Sequence, residues 1–222
     1  MHVEWYGQSA FRLAAAEATV FIDPFGDMSG LAARGMRFDY PPIEDVAADL
    51  LLVTHEHADH NATGAIAGDP PILRSTAGRL ASPIGEVVAV ASEHDEAAGT
   101  ERGPNTIFVF SLGGLRVAHF GDFGQADLRE QQAAALGKID LAFLPVGGGP
   151  TIGGAQAAAI ARQIGARWVV PMHYRTHRTD FLETADGFLG HVRDVHRPGA
   201  AAFDTDALPT GGRTVAVVPD AP

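Results

Sequence analysis

Leu50-Leu51-Leu52-Val53-Thr54-His55-Glu56-His57-Ala58-Asp59-His60 is the stretch from which the fold of this chain is read. Its first four residues are a continuous apolar run, the pattern of a strand buried on both faces. The residues after Thr54 hold three imidazoles and two carboxylates within six positions. Histidine and aspartate are ligands for zinc, iron and manganese, and a His-x-His spacing puts two rings on one side of an extended segment, where they can share one ion. Asp59 and His60, beyond the turn, can face a second. A solvated loop rich in histidine is the competing explanation, but such a density of donors at the end of a buried strand is hard to explain by packing.

One segment cannot complete two coordination spheres, so further donors must come from elsewhere. Three candidates follow predicted strands: His94 after Glu86 to Val90, Asp122 after Leu115 to Phe120, and His173 after Trp168 to Val170. Further strands are expected at Val3 to Tyr6, Ala10 to Leu13, Thr19 to Ile22, Ile72 to Arg74, Thr106 to Phe110, Leu141 to Leu144 and Thr214 to Val218, with a hairpin at Gly113-Gly114. The Gly/Pro-interrupted stretch from Pro24 to Pro42 reads as a mobile or irregular loop. Helices are expected over Asp127 to Leu136, with Asp127 as its N-cap, over Gly154 to Ile164, and more weakly over Asp186 to Val195. Strands followed by strand–helix units in each half imply two sheets face to face with helices outside. The expected architecture is a four-layer αββα sandwich, one domain spanning residues 1–222.

Composition narrows the chemistry. The chain has no cysteine, which excludes disulfides, thiolate metal sites and cysteine nucleophiles and leaves only nitrogen and oxygen donors for any metal. The formal net charge of −11, with Lys138 the only lysine, disfavours nucleic-acid and anionic-membrane partners. The N-terminal residues lack the pattern of a signal peptide and no stretch reaches the length of a membrane span, so a cytoplasmic location is expected. Self-association is left open.

Thr54 to His60, His94, Gly121-Asp122 and Pro171-Met172-His173-Tyr174 resemble the successive motifs of the metallo-β-lactamase fold superfamily. Ile22-Asp23-Pro24 resembles its early acidic motif. Leu144-Pro145-Val146-Gly147-Gly148 with Thr151 resembles its compact bacterial branch, which includes the ascorbate-6-phosphate-lactonase-like proteins. The resemblance covers roughly residues 2 to 178 and implies a dinuclear site. His55, His57 and His94 would hold one ion, Asp59, His60 and His173 the other, with Asp122 bridging and Asp23 orienting a ligand histidine. Trp5-Tyr6-Gly7-Gln8-Ser9-Ala10-Phe11 departs from related proteins, which often carry His where this chain has Gln8.

The implied function is a metal-dependent hydrolase. Two divalent ions, zinc by preference or else manganese or iron, about 3.5–4 Å apart would generate a metal-bound hydroxide as nucleophile. Asp59 is the expected catalytic residue, a proton acceptor, against the equal alternative that it is a ligand without proton transfer. The substrate would be a small molecule with an ester, lactone or phosphodiester bond. Gly147 to Gly149, Thr151, Arg175, His177 and Arg178 suggest an anionic group on it, against the plainer reading of tight turns and solvated arginines. His119 and Tyr174 lie close enough in sequence to the ligands to contact them or the substrate, although His119 could equally be an outward strand residue. Two other readings remain: a non-catalytic metal-containing binding or regulatory module, and a nuclease on the same fold, for which the acidic chain shows no basic surface.

Overall fold

The computed structural model describes residues 1–222. Strands β1 (His2–Gly7), β2 (Ala10–Ala14) and β3 (Thr19–Ile22) form an antiparallel meander, and β4 (Val46–Ala47) precedes β5 (Leu50–Val53), which returns parallel to β3. β6 (Ile66–Ala67) pairs with β4, and β7 (Ile72–Arg74) lies parallel to β5. Next come the antiparallel strands β8 (Gly78–Ser82), β9 (Gly85–Glu93), β10 (Pro104–Leu112) and β11 (Leu115–His119). The chain then alternates: helix α1 (Glu130–Leu136), β12 (Leu141–Pro145), α2 (Gly154–Gln163), β13 (Trp168–Met172) and α3 (Asp186–Leu189), ending with β14 (Asp194–His196), β15 (Ala202–Asp204) and β16 (Val215–Val217).

Two large sheets result, ordered β15-β1-β2-β3-β5-β7 and β14-β16-β13-β12-β11-β10-β9-β8. A core of 49 buried residues fills the space between them and beneath the helices. The apolar run in β5 is explained by its two faces: Leu50 and Leu52 join this core, while Leu51 and Val53 join a second cluster on the outer side. Helices α1 and α2 cover the eight-stranded sheet through β9 and β12. The six-stranded sheet is covered by Phe25, Tyr40, Ile43, Val46 and Ile66, contributed mainly by irregular chain. The α/β sandwich of two facing sheets therefore holds, but α-helices cover only the eight-stranded sheet; irregular chain takes the place of the expected fourth helical layer, and the 3-10 turn at Ser29–Arg34 buries no side chain.

Several local expectations are corrected. The first helix starts at Glu130, not Asp127: Gln132 reaches back to accept the Arg129 N–H at 3.0 Å, and the Asp127 carbonyl is engaged by Gln125 Nε2 at 2.7 Å. The helix expected over Asp186 to Val195 stops at Leu189 before Gly190, and Asp194–His196 instead pairs with β16, because the open edge of the sheet satisfies its backbone groups. β8 and β15 were not expected. Both are short edge strands whose sequences carry no apolar alternation to reveal them. No helix is long and apolar enough to cross a membrane.

Candidate metal centre

Parallel pairing brings the donors together. Register Ile22 to Leu52 makes Asp23 and Thr54 leave the six-stranded sheet side by side, and Pro145 opposite Met172 ends β12 and β13 at one level. His94 directly follows β9, His173 directly follows β13, and Asp122 lies just beyond β11. All seven expected donors meet at one end of the two sheets, as His55, His57 and His94 in one group and Asp59, His60, Asp122 and His173 in the other; within each group the donor atoms lie within 4.8 Å of one another.

Asp122 is the hub. Its Oδ2 lies 3.1 Å from His94 Nε2, 3.2 Å from His173 Nε2, 3.3 Å from His60 Nε2 and 3.9 Å from His55 Nε2. Its backbone N–H donates to Asn105 Oδ1 at 3.1 Å and its Oδ1 accepts from Ser9 Oγ at 3.4 Å. The loops approach so closely that side chains are excluded. A Cβ on Gly121 would meet Asn105 Oδ1 at 2.4 Å, on Gly124 the His94 carbonyl at 2.4 Å, and on Gly147 the His173 carbonyl at 2.1 Å.

A second ring of contacts sets the tautomers. His60 Nδ1 donates to Asp23 Oδ2 at 2.9 Å, which leaves Nε2, the nitrogen facing Asp122, as the one that can ligate a cation. Thr54 Oγ1 donates to Asp23 Oδ2 at 2.7 Å and so accepts from His55 Nδ1 at 3.0 Å, freeing His55 Nε2. His94 Nδ1 donates to the Pro150 carbonyl at 3.0 Å, freeing its Nε2. Asp23 is fully buried and, like His173 and Gln8, has a positive φ, 51°, 51° and 50° respectively, the kind of backbone strain that collects at functional sites.

The electrostatics fit a cation. Burial pushes His55 down to about 2, reinforced by His60, His94 and His57 and opposed by Asp122, so its ring is neutral and ready to ligate. Burial likewise lowers His57. Burial alone would raise Asp122, but His173 and His60 hold it well below the usual carboxylate range, and His60 does the same for Asp59. Burial opposes a charge on His60, yet Asp122, Asp59 and Asp23 outweigh it and raise that ring well above its ordinary value. Three clustered carboxylates thus attract positive charge into a buried space where His60 Nε2 has no hydrogen-bond partner. A divalent ion suits that vacancy of bonding, and an all-nitrogen-and-oxygen donor set suits zinc, manganese or iron.

The family profile of the beta-lactamase superfamily domain matches residues 2–173, a span that contains every one of these donors. The chain belongs to the metallo-β-lactamase superfamily. A UPF0173 metal-dependent hydrolase of Methanoculleus marisnigri is 33% identical over 200 residues, covering 79% of this chain and 82% of that protein. Another, of Methanosphaera stadtmanae, is 29% identical over 205 residues, covering 79% and 85%. A crystal structure of a metallo-beta-lactamase superfamily protein from Thermotoga maritima aligns with a TM-score of 0.78 at 27% identity over 99% of this chain and 98% of that one. This chain, like its relatives, is a metal-dependent hydrolase of the metallo-β-lactamase superfamily.

The remaining sequence candidates divide. His119 is no outward residue: it is fully buried, with Nε2 donating to the Ser9 carbonyl at 3.0 Å and Nδ1 accepting from Gly121 N at 3.2 Å, so it braces the metallo-β-lactamase loops rather than meeting a substrate. Tyr174 turns into the core and stacks on Trp5 at 5.6 Å, where burial raises its phenol far above the ordinary value. Thr151 is buried within the turn after Gly148, next to the Pro150 carbonyl that orients His94. Arg175 is exposed, its Nε donating to the Leu182 carbonyl at 2.6 Å. Glu56 points away from the donors to pair with Arg74, Ser75 and Asn61. Sequence reasoning missed Thr54, Ser9 and Asn105, whose roles depend on contacts between distant segments; their only local signal is that each stands near a predicted strand end.

Proposed function

We propose that residues 1–222 form one hydrolase domain holding two zinc ions, and that it cleaves an ester, lactone or phosphodiester bond in a small anionic molecule. The observation that carries this reading is the single carboxylate oxygen of Asp122 ringed by four imidazoles from the segments that follow three separate strands, β5, β9 and β13. The shared core of 49 residues supports treating the chain as one unit. His55, His57 and His94 would hold one ion and Asp59, His60 and His173 the other, with Asp122 between them. The first group supplies three donors of its own and reaches a fourth only by sharing Asp122 with the other ion. When bound, two such ions polarise the scissile bond and bring the pKa of water toward neutrality.

The chain's own residues do the rest. Asp59 is the one carboxylate of the centre open to the outside, with its side chain 23% exposed, and held ionised by His60 it can accept a proton from the attacking water. Asp23 and Thr54 keep His60 and His55 in the tautomers that present Nε2. Arg175, held at Nε by Leu182, keeps the rest of its guanidinium for a substrate anion.

Elemental analysis of the purified protein and of His55→Ala tests the reading. About two metal equivalents, reduced in the variant and restored by zinc, are expected, with turnover on a panel of lactones and phosphodiesters. Metal content that stays far below one equivalent after incubation with zinc, manganese or iron would sink it in favour of a non-catalytic module.

A further inference from the structure

Gln8 occupies an expensive place for a glutamine. It is the first residue of the two-residue turn that joins β1 to β2, where Gly7 pairs with Ala10, and its φ of 50° is a value that hairpin turns normally assign to Gly, Asn or Asp. Three contacts hold the strained residue there: its carbonyl accepts from Trp5 Nε1 at 3.1 Å and from the His173 N–H at 3.3 Å, and the Tyr40 ring covers the neighbouring Gly7 so closely that a Cβ there would lie 2.3 Å away. The side chain is wholly buried. Its Nε2 lies 3.5 Å from Asp59 Oδ2, the same oxygen that lies 3.5 Å from His60 Nε2, and its Oε1 has no hydrogen-bond partner. The amide orientation is the sensible one, since the opposite flip would set a carbonyl oxygen against a carboxylate.

We infer that Gln8 is a positioning residue: its carboxamide holds Asp59 in the orientation that completes the Asp59–His60–His173 side of the centre. This rests on the dinuclear reading above. Two features separate it from mere packing. A packing role asks for an apolar side chain of this size, without an orphaned acceptor. A turn-forming role asks for glycine or asparagine. Gln8 satisfies neither, while it does supply a donor to a carboxylate and ties that donor, through its own backbone carbonyl, to the His173 ligand.

The test is competition titration of zinc against a chromophoric chelator, with wild type, Gln8→Met, Gln8→Asn and Asp59→Ala side by side. Gln8→Met keeps size and loses the donor; Gln8→Asn keeps the amide and suits the backbone, but is one methylene too short to reach Asp59. Both are expected to weaken one zinc equivalent by about 10–100-fold, the usual effect of removing a partner that orients a ligand, and to leave the other unchanged. The weakened equivalent should be the one that Asp59→Ala also weakens. If Gln8→Met binds both equivalents as tightly as wild type and only its thermal midpoint moves, Gln8 is packing and the inference falls. If Gln8→Met does not fold, Gln8→Asn decides by the same criterion. Should wild type take up a single equivalent, the dinuclear reading fails separately; the Gln8 inference then stands if that equivalent weakens in the Gln8 and Asp59 variants alike, and falls otherwise.

Discussion

The two donor groups of the centre are built differently. In the group of Asp59, His60, Asp122 and His173, three of the four members are buried, and the chain braces them from behind: Asp23 on His60, Ser9 and Asn105 on Asp122, Gln8 on Asp59. In the group of His55, His57 and His94, the middle member is exposed. His57 Nδ1 lies 3.1 Å from His55 Nε2, itself a candidate ligand atom, and nothing comparable to Asp23 stands behind it. Bracing fixes ring orientation and raises ligand basicity. The contrast teaches that most of the centre is prepared before a cation arrives, His55 and His94 included through Thr54 and the Pro150 carbonyl, whereas His57 must lose freedom for its group to form.

The largest effect is expected from Asp122→Ala. Asp122 counts with the braced group but also reaches His94 and His55, so both metal equivalents should drop and hydrolysis should vanish, as read by elemental analysis and a turnover assay. Loss of one equivalent alone would show that the two groups are independent. A smaller and graded effect is expected from Asp23→Asn: about 10–100-fold weaker binding of the braced equivalent, with a lesser loss at the other, which Asp23 reaches only through Thr54 and His55. Equal weakening of both would erase the distinction between the groups. The smallest effect is expected from Arg175→Ala, which should raise KM severalfold at unchanged kcat, because Arg175 would grip substrate and transition state alike. Unaltered kinetics would remove the anionic group from the proposed substrate.

The seven donors were legible because each is a polar residue placed at or near the end of an apolar run, a pattern visible without knowing the partner strand. The bracing residues were harder. Asp23 came through a resemblance, while Thr54, Ser9 and Asn105 act across registers that no local pattern encodes, and the Pro150 carbonyl that orients His94 is backbone that any residue could provide. The central strands were read correctly for the reason that three of the edge strands, β8, β14 and β15, were missed, while the edge strand β7 was read from its Ile72-Leu73 pair. Val117, Leu141 and Val169 are buried and hydrophobic, whereas Gly78-Arg79-Leu80-Ala81-Ser82 has one side of its backbone unpaired and little to bury. Tyr174 misled because it directly follows a ligand: past His173, whose φ is positive, its ring lies against Trp5 in the core, away from the donors.

The turn at Ser29–Arg34 buries no side chain, and Gly30 and Gly35 beside it meet no neighbour that an added methyl would touch. Nothing in the bracing of the donors passes through it. Length and composition there, the left-handed Gly35 that ends the turn excepted, can therefore drift, or be rewritten by design, at little cost to metal retention. Such a segment offers a place to graft new recognition onto an unchanged hydrolytic engine, and its tolerance to insertion is a measure of how far the chemistry has been insulated from the surface.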